Sequence, residues 1–185
     1  MAGFVFGMIT IPVDVGLALR QLQADDAEEL FALTDANRAR LREWLPWLDR
    51  TRVVAATASF IDFTLREAAA GTGLHLCIEE HGQIVGVCGY NRIDPANRYA
   101  HIGYWLAADA GGRGVMSRSV AALVSYGFAK RDLHRQVIAC ATGNRASAAV
   151  AERCGFRLEG VEREVEWLYD HFVDHRIHSR LRTDG

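Results

Sequence analysis

An alternating run from Tyr99 to Leu106 leads through Ala110-Gly111-Gly112-Arg113-Gly114 into an amphipathic stretch with Met116, Val120, Leu123, Val124 and Phe128 on one stripe. A strand that turns on glycines into a helix restricts the chain to architectures that mix sheet and helix. The first N–H groups of such a helix lack intrahelical acceptors, and its dipole is positive at that end. Glycines also let a ligand approach the backbone closely. The junction therefore reads as an anion site suited to a pyrophosphate, with Arg113 adding a full positive charge. The alternative is a tight turn that binds nothing. No Gly-Lys-Ser/Thr follows, so it is not a P-loop. It also lies late in the chain behind antiparallel-type strands, so it is not a dinucleotide fingerprint.

The rest of the pattern supplies the partners of this unit. Ile9 to Leu19 leads into a strand over Leu17–Leu22. A helix is expected from Asp25, with Glu28 three residues on, as a capped start, and with Leu30, Phe31 and Thr34 on its buried face. A polar helical stretch ends near Trp44-Leu45-Pro46-Trp47. Phe60, Ile61, Thr64 and Leu65 mark a helix over 53–69. The period then drops to two. Leu74–Glu80 and Gln83–Asn91 flank His81-Gly82, a two-residue hairpin signal. Gln136–Ala141 is a short buried strand. Asn144 caps a helix over Arg145–Arg153 that Gly155 ends, and strands over Phe156–Trp167 and Phe172–Arg182 follow. The order predicts an α/β fold with a mixed, mostly antiparallel sheet and helices on both faces.

Composition narrows the function classes. The 185 residues are half hydrophobic and 24% charged, enough apolar material for a core, so disorder is excluded. One domain of ordinary size over residues 1–185, with its core over about 15–182, fits that length. The net charge of −2 gives no sign of nucleic-acid steering. No run of 18 apolar residues suggests a membrane span, and Met1 to Val15 lacks the basic start of a signal peptide. The four cysteines, Cys77, Cys88, Cys140 and Cys154, form no CxxC pair. They read as buried free thiols of a reducing cytosol.

Several separated motifs agree with one family. Tyr104-Trp105-Leu106, the glycine turn, Asn144-x-x-Ser147 and Cys154-Gly155-Phe156-Arg157-Leu158-Glu159-Gly160 stand in the order and spacing of GNAT acetyltransferases. The chain most resembles the RimJ/RimL branch, the ribosomal-protein N-acetyltransferases, over residues 15–182. The resemblance implies the GNAT fold and acetyl-CoA as co-substrate. It implies a cofactor site at Leu106, Gly112, Arg113, Gly114, Val115 and Met116, with Asn144 on the pantetheine side. It implies transfer to a primary amine, most simply a protein N-terminal α-amine, by a cytoplasmic enzyme that is often a homodimer. A small amine such as an antibiotic or polyamine, or a non-catalytic acyl-CoA-binding module, are the rival readings.

The resemblance also implies catalytic residues. Many GNAT enzymes carry a tyrosine acid where this chain has Ala151. Rim-type enzymes instead resemble it in offering Ser147 for the thiolate and a carboxylate base at Glu166. The family turn usually opens on Gln or Arg, and here Gly111 stands there. Each residue keeps a plainer reading. Ser147 could satisfy helix N–H groups, and Glu166 could be a solvated strand carboxylate. Cys140 reads as a packed thiol. Trp44, Leu45 and Trp47 read as core before groove wall. His171, His175 and His178 with Asp170 and Asp174 would need a helix to share a metal, whereas Phe172, Val173, Ile177 and Leu181 favour a strand, so no metal is assigned.

Overall fold

The structure is a computed structural model and describes residues 8–184. The part of the Met1–Val15 segment before Met8 lies outside the described residues. Eight strands form one sheet in the order β1-β2-β3-β4-β5-β6-β8-β7. They are β1 (Thr10–Asp14), β2 (Leu17–Gln21), β3 (Leu74–Glu80), β4 (Gln83–Asp94), β5 (Tyr99–Leu106), β6 (Arg135–Ala141), β7 (Arg157–Leu168) and β8 (His171–Leu181). The helices are α1 (Ala27–Ala36), α2 (Arg38–Leu41), α3 (Val54–Ala70), α4 (Val115–Lys130) and α5 (Arg145–Arg153). All strand pairs are antiparallel except β5–β6. Among the described residues, no helix is long and apolar enough to cross a membrane.

Period-two alternation divides the core into two layers. Leu74, Leu76 and Ile78 of β3 pack with Val120, Leu123 and Val124 of α4. Cys77, between them, packs on the other face with Leu30 of α1 and Ile61 of α3. The sheet is therefore sandwiched, as the alternation predicts. His81 and Gly82 both have positive φ, +51° and +81°, the two left-handed residues of a type I′ hairpin between β3 and β4.

Two expectations at the N-terminus are corrected. The first strand is a hairpin, because the chain reverses at Val15-Gly16 and β1 pairs with β2. Isolated β1 is only five residues long and carries Pro12, so it is a weak strand signal, and its partner only appears in three dimensions. Asp25 and Glu28 do not cap α1. The carboxylate of Asp26 instead accepts from the Gln23 N–H at 2.7 Å, within a short 3-10 turn over Ala24–Asp26. Asp26 is also forked by Arg20 at 2.9 and 3.0 Å. This ion pair from β2 decides which of two adjacent aspartates turns inward.

The sheet changes character at β5 and β6. Their parallel pairing covers only Tyr99–His101 against Arg135–Val137. Beyond it β5 follows β4 as far as Leu106 against Gly86, and β6 follows β8 as far as Ala141 against His175. The strands splay apart, so β5 from Ile102 onward has an edge with no strand partner. A buried polar cluster braces the junction. The Tyr90 hydroxyl lies 2.8 Å from both the Leu123 carbonyl and Gln136 Oε1, and Gln136 Nε2 donates to the Val124 carbonyl at 2.9 Å. Gly127 of α4 admits this cluster, since a Cβ there would collide with the Tyr90 hydroxyl and crowd the Gln136 amide.

Gly127→Ala tests that brace. Alanine in a helix gains about 1 kcal/mol over glycine, whereas overpacking a filled site costs roughly 1–3 kcal/mol. The expected result is a net loss of stability in urea unfolding, and a neutral or stabilised variant would contradict it.

Candidate active site

The splay opens a cavity of about 590 Å³. Tyr104 of β5, Cys140 of β6, Asn144 and Ser147 at the start of α5, and Glu166 and His175 of the β7–β8 hairpin all line it. Three sequence-predicted residues, Asn144, Ser147 and Glu166, are thus brought together. Its outer wall is Trp44, Leu45 and Trp47 with Phe60 of α3. The expectation that the first three are core is corrected: Trp47 is 40% exposed and faces this space.

Ser147 is held from two sides. Its N–H donates to Asn144 Oδ1 at 3.1 Å, the expected cap. Its hydroxyl lies 3.0 Å from the Tyr104 phenol oxygen, which is also 3.2 Å from the Ser147 carbonyl. Tyr104 entered the sequence reading only within a family motif. Its role needed the chain to fold before β5 could meet α5. Burial pushes its pKa well above the ordinary tyrosine value, partly offset by the Ser147 hydrogen bond. The Cys140 thiol is buried, and that burial raises its pKa, partly offset by the neighbouring Ser147 hydroxyl. A thiol kept neutral fits the packed reading.

Glu166 owes its place to an irregularity. Between Glu162, opposite His175, and Glu166, opposite Val173, β7 has three residues where β8 has one. Glu164 is left-handed there, with φ of +51°, and its N–H donates to Asp174 Oδ1 at 2.8 Å. Such a bulge re-aims the side chains that follow. Most of β7 is exposed, but Glu166 is half-buried with Oε2 2.9 Å from His175 Nε2. The other histidines disperse along β8: His171 pairs with Asp170 on an exposed turn, and His178 is buried.

Apart from Asn144, which lines the cavity, the residues expected at the cofactor stand outside it, around the far end of β5. Leu106 ends the free edge, and its carbonyl accepts from the Arg40 guanidinium. Gly112 and Gly114 have φ of +74° and +72°, and Gly114 is the residue before α4. Arg118 is the first residue of α4 whose N–H bonds a turn-residue carbonyl, that of Gly114 at 3.0 Å. The donors before it are open to a ligand. The side chains of Val115 and Met116 are buried in the core, so their contribution would be backbone N–H groups. Arg113 forks onto the Glu80 carboxylate at 2.9 and 2.7 Å, so its charge is balanced by that carboxylate. A free strand edge running into open helix N–H groups fits an extended arm that ends in a pyrophosphate.

The bulge gives a test of how Glu166 is held. Asp174→Ala removes the acceptor of the Glu164 N–H, and hydrogen exchange at that amide should become markedly faster. The overall loss should stay near 1 kcal/mol, as for one hydrogen bond. Unchanged exchange would show that the bulge does not depend on Asp174.

The family model of the acetyltransferase (GNAT) domain matches residues 17–157. The chain is 30% identical to the ribosomal-protein-serine acetyltransferase of Escherichia coli strain K12, over 93% of this chain and 96% of that protein. It is 32% identical to the putative ribosomal N-acetyltransferase YdaF of Bacillus subtilis strain 168, over 96% and 97%. Among solved structures, the ribosomal L7/L12 alpha-N-protein acetyltransferase RimL in complex with coenzyme A superposes with a TM-score of 0.91 at 32% identity, covering 94% of this chain and 98% of that one. The microcin C7 self-immunity acetyltransferase MccE, in complex with acetyl-CoA and AMP, gives 0.88 at 33% identity, covering 91% and 94%. With the split sheet, the free β5 edge and the glycine turn already in place, these likenesses leave one reading: the chain belongs to the RimJ/RimL-type branch of the GNAT family and is an acetyl-CoA-dependent N-acetyltransferase.

Proposed function

We propose that the acceptor is the N-terminal α-amine of a protein, a ribosomal protein first among candidates, and that Glu166 and Ser147 carry the transfer. The observation that carries this is their meeting in one cavity beside the free edge of β5. Two of the relatives named above, the ribosomal-protein-serine acetyltransferase and RimL, are named for action on ribosomal proteins and support the acceptor. In this reading acetyl-CoA lies along β5 with its pyrophosphate at Gly112–Met116, and its pantetheine passes Leu106 and Asn144. Arg113 trades Glu80 for phosphate.

The amine must be neutral to attack. An α-amine has a pKa near roughly 8 and a lysine near roughly 10.4, so at neutral pH far more of the α-amine is ready. A carboxylate base then suffices. Glu166 Oε1 takes the amine proton directly or through a water, while His175 holds Oε2. A backbone N–H on the free β5 edge stabilises the oxyanion, and the Ser147 hydroxyl meets the departing thiolate. We place the reaction in the cytosol, which agrees with four free buried cysteines.

A second reading has a specific observation behind it. Trp44, Trp47, Phe60 and Arg50 line the acceptor end of the cavity, and aromatic faces beside a cation suit a nucleotide. MccE was solved with AMP. A small amine carried on a nucleotide is therefore the alternative acceptor. Turnover of N-terminal peptides against aminoacyl nucleotides separates the two.

The homodimer also belongs here. β7 is the outer strand, and Leu158, Val161 and Val165 on it are 49–56% exposed. A second copy covering that row is our assignment, and light scattering that gives a monomer at high micromolar concentration removes it.

For the site, Glu166→Gln should lower kcat by about 10²–10⁴, the usual range for general acid–base assistance, with coenzyme A affinity nearly unchanged. The loss should shrink as pH rises, because more of the amine is already neutral. Unchanged kcat across pH 6 to 9 would refute the base. Gly114→Asp should abolish the coenzyme-induced rise in Tm by placing a carboxylate at the pyrophosphate. A folded variant that binds like the parent would move the cofactor elsewhere.

A further inference from the structure

We propose that Tyr104 is the positioning residue for Ser147: its phenol donates to Ser147 Oγ as the thiolate departs and so commits the serine proton to the sulfur. This rests on the reading of Ser147 given above. Ser147 has one hydroxyl proton, and in the resting chain two acceptors are near the pair. The Tyr104 oxygen is 3.0 Å from Oγ and 3.2 Å from the Ser147 carbonyl. At rest the phenol can donate to the carbonyl while the serine donates back to the phenol. A serine proton spent on Tyr104 cannot reach the thiolate. When negative charge develops on sulfur, the serine proton turns to it, and Oγ is left as an acceptor. The phenol then rotates onto Oγ. Both rotors move and no proton changes owner.

The electron count is simple. The amine lone pair forms the new C–N bond to the acetyl carbon, the C–S bond of the thioester breaks, and its electron pair goes to sulfur. The amine proton goes to Glu166, and the thiolate takes its proton from solvent on release. Tyr104 and Ser147 only donate hydrogen bonds. Burial raises the phenol pKa, so Tyr104 keeps its proton throughout the working range and acts as a donor, not as the acid. The helix position that carries a tyrosine in many relatives is Ala151, which is buried and has no hydroxyl. Among the described residues lining the cavity, Tyr104 is the one phenol, and it comes from the strand on the opposite side of the cleft. A hydrogen bond gained only as charge develops raises kcat and leaves substrate binding alone.

The test is a double-mutant cycle, read with acetyl-CoA and a peptide whose N-terminal residue is serine. Tyr104→Phe keeps the ring and its packing, and a Tm near that of the parent verifies the fold. We expect kcat to fall about tenfold, the upper size for one neutral hydrogen bond, with KM for acetyl-CoA within about twofold. Tyr104→Phe combined with Ser147→Ala should be no slower than Ser147→Ala alone, because the phenol acts through the serine. If the two losses multiply, or Tyr104→Phe has parental kcat while Ser147→Ala is slow, the inference falls and the reading of Ser147 stands. If Ser147→Ala has parental kcat, both fall.

Discussion

The molecule depends on a seam three residues long. β5 and β6 are paired only over Tyr99–His101 and Arg135–Val137, while each is zipped along its whole length to its other neighbour. Sheet twist acts on both halves, and the short seam gives way before either long zipper does. The site follows from that inequality. A fully paired β5 would have no free N–H and C=O groups for an extended ligand, and Cys140 and Tyr104 would close against each other. The buried Tyr90–Gln136 pair at the closed end, admitted by Gly127, keeps the opening from running the length of the sheet. Hydrogen bonds packed in a low-dielectric interior are stiff, and that suits the apex of a wedge.

Electrostatics around the cleft are arranged in pairs that a substrate can exchange. Arg113 is half exposed where it meets Glu80, so solvent screens the pair and its contribution to stability is small. Losing it to a phosphate is therefore a small sacrifice. Glu166 and His175 make the opposite case, since they sit half-buried inside the cavity and keep each other oriented. The asymmetry agrees with the proposed chemistry, in which the anion end would bind and release while the proton-accepting end would hold its geometry.

Much of this was legible in the chain. The alternation of β3 to β5, the His81-Gly82 turn, the stripe of α4 and the Asn144 cap are local signals whose periods and φ requirements survive folding unchanged. The glycine turn was equally legible, since its chemistry is that of a helix N-terminus and four neighbouring residues. The N-terminal reading was weaker for a physical reason. Asp25 and Asp26 offer the same carboxylate to a cap, and the choice was made by Arg20, from a different element.

The site divides along the same line. The sequence by itself determined the fold class, the glycine turn at a helix N-terminus, and the presence of Asn144-x-x-Ser147 on the start of a helix. Only the tertiary structure decided that Glu166 faces inward, because a three-against-one bulge clamped by Asp174 re-aims it on an otherwise exposed edge strand. It alone decided that Trp44 and Trp47 form a wall and not a core, and that Tyr104 meets Ser147 across the cleft. Periodicity specifies which face of an element is apolar. It does not specify which two elements stop pairing, and in this protein the functional groups converge where pairing stops.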